Sequence, residues 1–95
     1  MSVKFTSKQI RLLEIYFKAV ANKKRVKILV LINNEPDLNV EEIAKKMKIQ
    51  YQTAATHIQR LERVGLIYKR HSDLEVLHTI TPKGKEFLRF FKEIL

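Results

Sequence analysis

Apolar positions recur at helical spacing through most of the chain and switch once to strict alternation. The clearest helical stripe is Val40, Ile43, Ala44 and Met47, at i, i+3, i+4 and i+7. Asn39 opens that helix, and Glu42 completes a capping box three residues on. Upstream, Thr6 and Gln9 form another such box, with Phe5 and Ile10 at the staple positions around it. The helix it starts runs to about Ala21 and carries Ile10, Leu12, Leu13, Ile15, Tyr16, Phe17, Ala19 and Val20. That is more than one stripe, so two buried faces are expected. Asn22 caps a second helix, "KKRVKILVLIN", whose middle is apolar all round and reads as the central core helix. It stops at Asn33-Asn34, with Pro36 just beyond. Leu38 then reads as a short strand.

A tight turn, Lys48-Ile49-Gln50, leads into "YQTAATHIQRLERVG", a fourth helix closed by Gly65. "LIYKR" and "EVLHTI" alternate and carry β-branched or aromatic residues, and "HSDL" between them supplies the turn of a hairpin. Thr81 caps a last helix with Pro82 at its first position. Phe87, Leu88, Phe90, Phe91, Ile94 and Leu95 share one side of it, and Lys85, Arg89, Lys92 and Glu93 the other. The order is helix, helix, helix, turn, helix, β-hairpin, helix. The expected fold is therefore mainly α, a single winged helix-turn-helix domain over residues 1–95.

Composition narrows the partners. The chain has 95 residues, no cysteine and a formal net charge of +9. No disulfide framework or thiolate metal site can form. The longest apolar run, Ile28 to Ile32, is far too short for a membrane helix. The N-terminal MSVKFTSK has no apolar core of a secretory signal, so a cytoplasmic location and no membrane partner are expected. Such positive charge points to a polyanion, with nucleic acid first. Residues 45 to 72 hold Lys45, Lys46, Lys48, Arg60, Arg63, Lys69 and Arg70 against the single acid Glu62, a net +6.

The fourth helix lies inside that cluster and has an unusual wet face. Ala54, Ile58, Leu61 and Val64 point one way, while Gln52, Thr56, Gln59 and Arg63 point nearly opposite. Most surface helices present Glu and Lys, whereas this one presents amides and a hydroxyl. The second helix of a helix-turn-helix enters the major groove. Groups that read bases there must donate and accept hydrogen bonds without negative charge: Gln pairs with adenine, and the Thr methyl can meet that of thymine.

"NKKRVKILVLI", "LNVEEIAKKMKIQYQTAATHIQRLERVGLI" and "TPKGKEF" together resemble the arsenical-resistance-repressor (ArsR) family of winged-helix regulators over roughly residues 15 to 90. "TPKGKEF" is also similar to the last-helix start of MarR-like and PadR-like regulators. The resemblance implies a homodimer on operator double-stranded DNA, paired through the first and last helices. It places base contacts at Tyr51, Gln52, Ala55 and Thr56, to which the helix face adds Gln59. It places the wing at Lys69 to Ser72. Lys46, Lys48, Arg60, Arg63, Lys69, Arg70 and His71 are the expected phosphate and wing contacts. Where the family has Gly in the turn this chain has Lys48, which requires either an unfavourable backbone conformation or a different turn. Gln50 replaces the usual Ser cap, and Ala55 lacks a hydroxyl often found at that position.

Six of the eight aromatics, Phe5, Tyr16, Phe17, Phe87, Phe90 and Phe91, lie in the two terminal segments. A monomer this small rarely hides them all, so Ile10, Leu13, Tyr16, Phe17, Phe87, Phe90, Phe91 and Ile94 are the expected dimer interface. No pair of His57, His71 and His78 has metal-ligand spacing, and neither a metal nor another cofactor is expected. His57 falls on the flank of the fourth helix, where it packs or touches phosphate. No catalytic constellation is present, so no enzyme is expected. The leading expectation is a sequence-specific DNA-binding regulator, a homodimeric repressor of a palindromic operator. The alternatives are a winged-helix protein-interaction module and a nonspecific architectural or RNA-binding module.

Overall fold

The computed structural model describes residues 2–95 and contains five helices and one hairpin: α1 (Ser7–Val20), α2 (Lys23–Asn34), α3 (Val40–Met47), α4 (Tyr51–Arg63), β1 (Ile67–Ser72), β2 (Glu75–Ile80) and α5 (Pro82–Ile94). The caps read from the sequence are in place. Thr6–Gln9 and Asn39–Glu42 close both reciprocal bonds of their boxes, and Asn22 and Thr81 accept from the backbone N–H groups of Arg25 and Gly84.

The core lies where α2, α3 and α4 meet the base of the wing. Ile28, Leu29, Ile32, Ile43, Ala54, Ile58, Leu61, Leu66 and Ile67 are buried there. The hairpin is antiparallel, with Ile67 opposite Ile80 and Ser72 opposite Glu75. Leu38 adds a bridge to His78, so the sheet has a vestigial third edge, as the sequence suggested. The buried His78 ring adds a bond of its own, since Nδ1 donates to the Leu38 carbonyl oxygen over 2.9 Å. At the wing base Thr81 Oγ1 donates to the Gly65 carbonyl oxygen over 2.6 Å. Gly84 fits flat beneath it: a Cβ there would lie 2.2 Å from the Leu66 carbonyl oxygen.

Three expectations need correction. First, α1 does not bury two faces within the chain. Only Ala19 is buried, and Ile10 and Phe17 stay 58% and 56% exposed. Second, α2 is not covered all round, because Val26 and Val30 open onto a groove shared with α1 and α5. Third, the hairpin turn is shorter than "HSDL". β1 runs through His71 and Ser72, and Asp73-Leu74 alone make the turn, with Asp73 left-handed at φ 51°. A two-residue turn with positive φ matches the twist of the flanking strands. The Cα radius of gyration, 14.4 Å, exceeds the roughly 12 Å of a compact chain this long. An elongated body with uncovered terminal helices is the result.

Candidate nucleic-acid interface

The turn before α4 is built by a helix stop. Lys48 takes the left-handed conformation, φ 58° and ψ 45°, so the backbone strain expected from its missing glycine is present. Its N–H donates to the Lys45 carbonyl oxygen, and that of Ile49 to Ala44, the paired bonds of a Schellman stop. α4 closes in the same way at Gly65, φ 77°, with Gly65 bonded to Glu62 and Leu66 to Leu61. Gln50 precedes α4 without a side-chain cap, as a glutamine there should.

Ala54, His57, Ile58 and Leu61 turn α4 inward. Val64, placed on that stripe from the sequence, falls past the helix end and is half-buried. Gln52, Thr56, Gln59 and Arg63 are exposed on the outward face, as their spacing requires. The Thr56 hydroxyl is already committed: Oγ1 donates to the Gln52 carbonyl oxygen over 2.9 Å. Its methyl and its lone pairs remain for a partner. Tyr51 is exposed on the flank towards the wing, where it shares a shallow depression with Leu74, Glu75 and Val76, and Ala55 is half-buried. Arg60 and Arg63 line the opposite side with Lys18 and Ile15 of α1. The five candidate reading residues thus share one helix surface. Of the candidate phosphate contacts, Lys69 meets α4 through Glu62, and Arg60 and Arg63 belong to α4 itself.

Those cations differ in freedom. Lys46 pairs with Glu35 at 3.0 Å, Lys69 with Glu62 at 3.5 Å and Arg70 with Asp37 at 3.1 Å. Among the described residues Lys48, Arg60 and Arg63 have no carboxylate in ion-pair range. His71 is exposed one pair below the hairpin turn.

Two residues in this region escaped the sequence reading. Asp37 sits at φ 67° and accepts from Arg70 and, over 3.0 Å, from the Thr79 hydroxyl. These two donors hold its carboxyl below the usual carboxylate range. Arg25 is 7% exposed. It donates through Nη1 to the carbonyl oxygens of Ala19, over 2.7 Å, and Lys18, and through Nε to His57 Nδ1 over 3.3 Å. His57 therefore packs inward, not onto phosphate. Burial, then the charges of Arg25, Lys24 and Arg60, push its pKa down. The signal for Arg25 was available, because Arg25, Ile28, Leu29 and Ile32 run at i, i+3, i+4 and i+7 and put a cation on the core stripe.

On the far side, Leu13, Tyr16, Phe17, Phe87, Phe90 and Phe91 line an open groove of about 560 Å³ between α1 and α5. Ile10 joins Leu13 and Phe17 in a neighbouring depression, whereas Ile94 is exposed outside both. Phe90 meets Phe91 edge to face at 5.2 Å. Among the described residues no group of three His, Cys, Asp or Glu could hold a metal ion, and no helix is long and apolar enough to cross a membrane.

An α3-turn-α4 unit followed by a hairpin defines a winged helix-turn-helix. The model of the MarR family matches residues 22–73, more than half of the chain, and the protein belongs to that family. Of the two resemblances drawn from the sequence, this bears out the MarR-like one at the level of family. An uncharacterised HTH-type transcriptional regulator, YfiV of Bacillus subtilis, is 29% identical over 77 residues, covering 78% of this chain and 48% of that protein. The transcriptional activator HlyU of Vibrio cholerae is 31% identical over 68 residues, covering 70% and 61%. The chain thus spans about half the length of one relative and three-fifths of the other. A homodimeric winged helix-turn-helix DNA-binding domain from Mycobacterium bovis, Mb0332, a possible ArsR-family regulator, superposes with a TM-score of 0.79 at 24% identity, covering 99% and 88% of the two chains. That likeness shows the shared winged fold.

Proposed function

We propose that the chain is a sequence-specific double-stranded-DNA-binding transcriptional regulator, a homodimer that represses by occupying a palindromic operator in the cytoplasm. One observation carries the reading. The outward face of α4 keeps Gln52, Thr56 and Gln59 exposed and uncharged, on the second helix of the motif, with the cations Arg60 and Arg63 on the same helix and Lys69 against Glu62. A helix that only had to stay wet gains nothing from that choice, whereas one that enters a major groove needs it. Lys46, Lys48, Arg60, Arg63, Lys69, Arg70 and His71 are the groups offered to phosphate, and Tyr51 and Ala55 complete the reading surface. The uncovered groove between α1 and α5 is the surface offered to a second copy. Pairing there would set two α4 helices one DNA turn apart, roughly 34 Å. The relatives named as transcriptional regulators support the same reading.

Selection from random duplexes, followed by binding as a function of salt, tests it. About four phosphate contacts per subunit give a dimer a log–log salt slope of about −7. Gln52→Ala keeps every charge and the helix, since Ala is the best helix former. It should cost roughly 1 to 3 kcal/mol per half-site and relax preference at one or two base pairs. A variant that binds every sequence as the parent does would end the claim that α4 reads DNA.

A further inference from the structure

Three of the cations offered to phosphate are already held by carboxylates, but the three pairs are not alike. Glu35 and Glu62 meet lysines, Lys46 and Lys69, through flexible side chains with no second bond to fix the acid. Asp37 is held by three contacts. Its backbone N–H donates to the His78 carbonyl oxygen over 3.0 Å, one carboxylate oxygen accepts from Thr79 Oγ1, and Arg70 Nη2 reaches that same oxygen. Its backbone sits at φ 67°, a region that side chains rarely adopt and that asparagine and glycine tolerate better. Arg70 stands on β1, opposite Leu77 of β2, while Asp37 lies beyond β2, so the guanidinium spans that strand to reach the acid.

A carboxylate and a phosphate oxygen compete for the same guanidinium N–H groups. Resting on the DNA reading above, we propose that Asp37 is an affinity-setting residue, an internal competitor for the Arg70 guanidinium. Its carboxylate occupies Arg70 in the free protein and yields it only to a phosphate held in place by base contacts from α4. A duplex that α4 cannot read presents phosphates too loosely to displace an acid that is already aligned. The cognate complex must break the pair and bears its whole cost, whereas a duplex that leaves the pair closed forgoes only a weak Arg70 contact, so the carboxylate lowers the ceiling on affinity.

The test compares the parent, Asp37→Asn, Arg70→Ala and the double variant, each on a selected duplex and on a scrambled duplex of equal length. Asn keeps the shape, the Thr79 acceptor and the backbone conformation. Asp37→Gly, which relieves φ instead, is the second variant should Asn disturb the fold. Asp37→Asn should tighten cognate DNA by about three- to five-fold per subunit, the scale of an exposed ion pair. Scrambled DNA should gain no more than that, so the ratio between the two does not fall. The salt slope on scrambled DNA should steepen by about 0.9 for each Arg70 released to a phosphate. In the Arg70→Ala background the gain should vanish. Glu41→Gln, which removes an acid paired with Lys45 at 3.6 Å, should change both duplexes alike and leave the slope unaltered. The inference is overturned if Asp37→Asn weakens both duplexes, since Asp37 would then aim Arg70 at the DNA. It is equally overturned if the gain survives without Arg70. A parent that binds no duplex overturns the DNA reading and this inference together. A parent that discriminates normally, with an unchanged Asp37→Asn variant, overturns this inference alone.

Discussion

Helices α1 and α4 are nearly equal in length, 14 and 13 residues, and opposite in how they are held. α1 begins with a complete capping box and then leaves most of its apolar side chains in the open. α4 begins with no side-chain cap and buries Ala54, His57, Ile58 and Leu61. Local signals start α1 but the chain covers only part of it, whereas tertiary packing holds α4 despite a weak start. Most helix stability in proteins comes from packing an amphipathic face. α4 has that packing already, and α1 needs a second surface to obtain it. α4 is therefore packed within the single chain, while the apolar sides of the terminal helices stay open.

The largest effect that could break this contrast lies in the core. Leu61→Ala, at 0% exposure, should cost about 2–5 kcal/mol in urea unfolding, from lost transfer energy and the cavity left behind. Phe17→Glu, on α1, should leave the packing around α4 intact. It should instead abolish the rise of melting temperature with protein concentration that an assembling parent must show. If Phe17→Glu melts as low as Leu61→Ala when both are dilute, α1 is part of the monomer's core and the contrast fails.

A smaller effect tests a polar tie between the two helices. Arg25 clamps the C-terminal carbonyls of α1 and donates to His57 on α4, and that bond needs a neutral imidazole. The folded pKa of His57 is pushed below 6.5 by burial and then by Arg25, Lys24 and Arg60. Between the folded value and 6.5 the unfolded chain binds more protons than the native one, so stability must rise with pH across that window. It is fully present above 6.5 and lost as pH falls towards the folded value. Melting temperature should therefore drop on acidification through this range. His57→Gln, which can still accept from Arg25 and cannot titrate, should flatten the dependence there. An equal drop in the variant would assign the effect to other groups.

The same contrast explains what was legible in the sequence. Caps, stripes and the turn before α4 were legible because they depend on neighbours within one or two helical turns, as at Asn39, Glu42, Ile43 and Met47. The outward face of α4 followed from the same periodicity. The end of β1 was not legible, since Tyr68, Lys69, Arg70 and His71 are all exposed and a strand wet on both faces leaves no alternation to read. Full burial of α1 was overestimated because apolar count reports the need for cover, not its source. The Asp37–Arg70 pair was invisible, because it joins residues 33 positions apart across an intervening strand. Arg25 was readable by position and was masked by its type, a cation among Lys23, Lys24 and Lys27 that looks like surface.

The smallest prediction concerns how α4 is entered, and it separates stability from use. The stops of α3 and α4 make the same pair of backbone bonds, one at Lys48 and one at Gly65. Only the first carries a side chain in the left-handed region, which costs on the order of 1 kcal/mol. Lys48→Gly removes that strain but gives the unfolded chain more freedom, which offsets part of the gain. The net should be a stabilisation of up to about 1 kcal/mol, which raises the melting temperature by at most about 4–8 °C for a domain this size. If Lys48 is kept for its charge at the mouth of the reading helix, the more stable variant should bind all duplexes more weakly. Its salt slope should flatten by about one unit per subunit. If Lys48→Gly instead binds as the parent does, the strained lysine serves no phosphate. The cation-rich entry to α4 would then reduce to Lys46, which is already paired with Glu35.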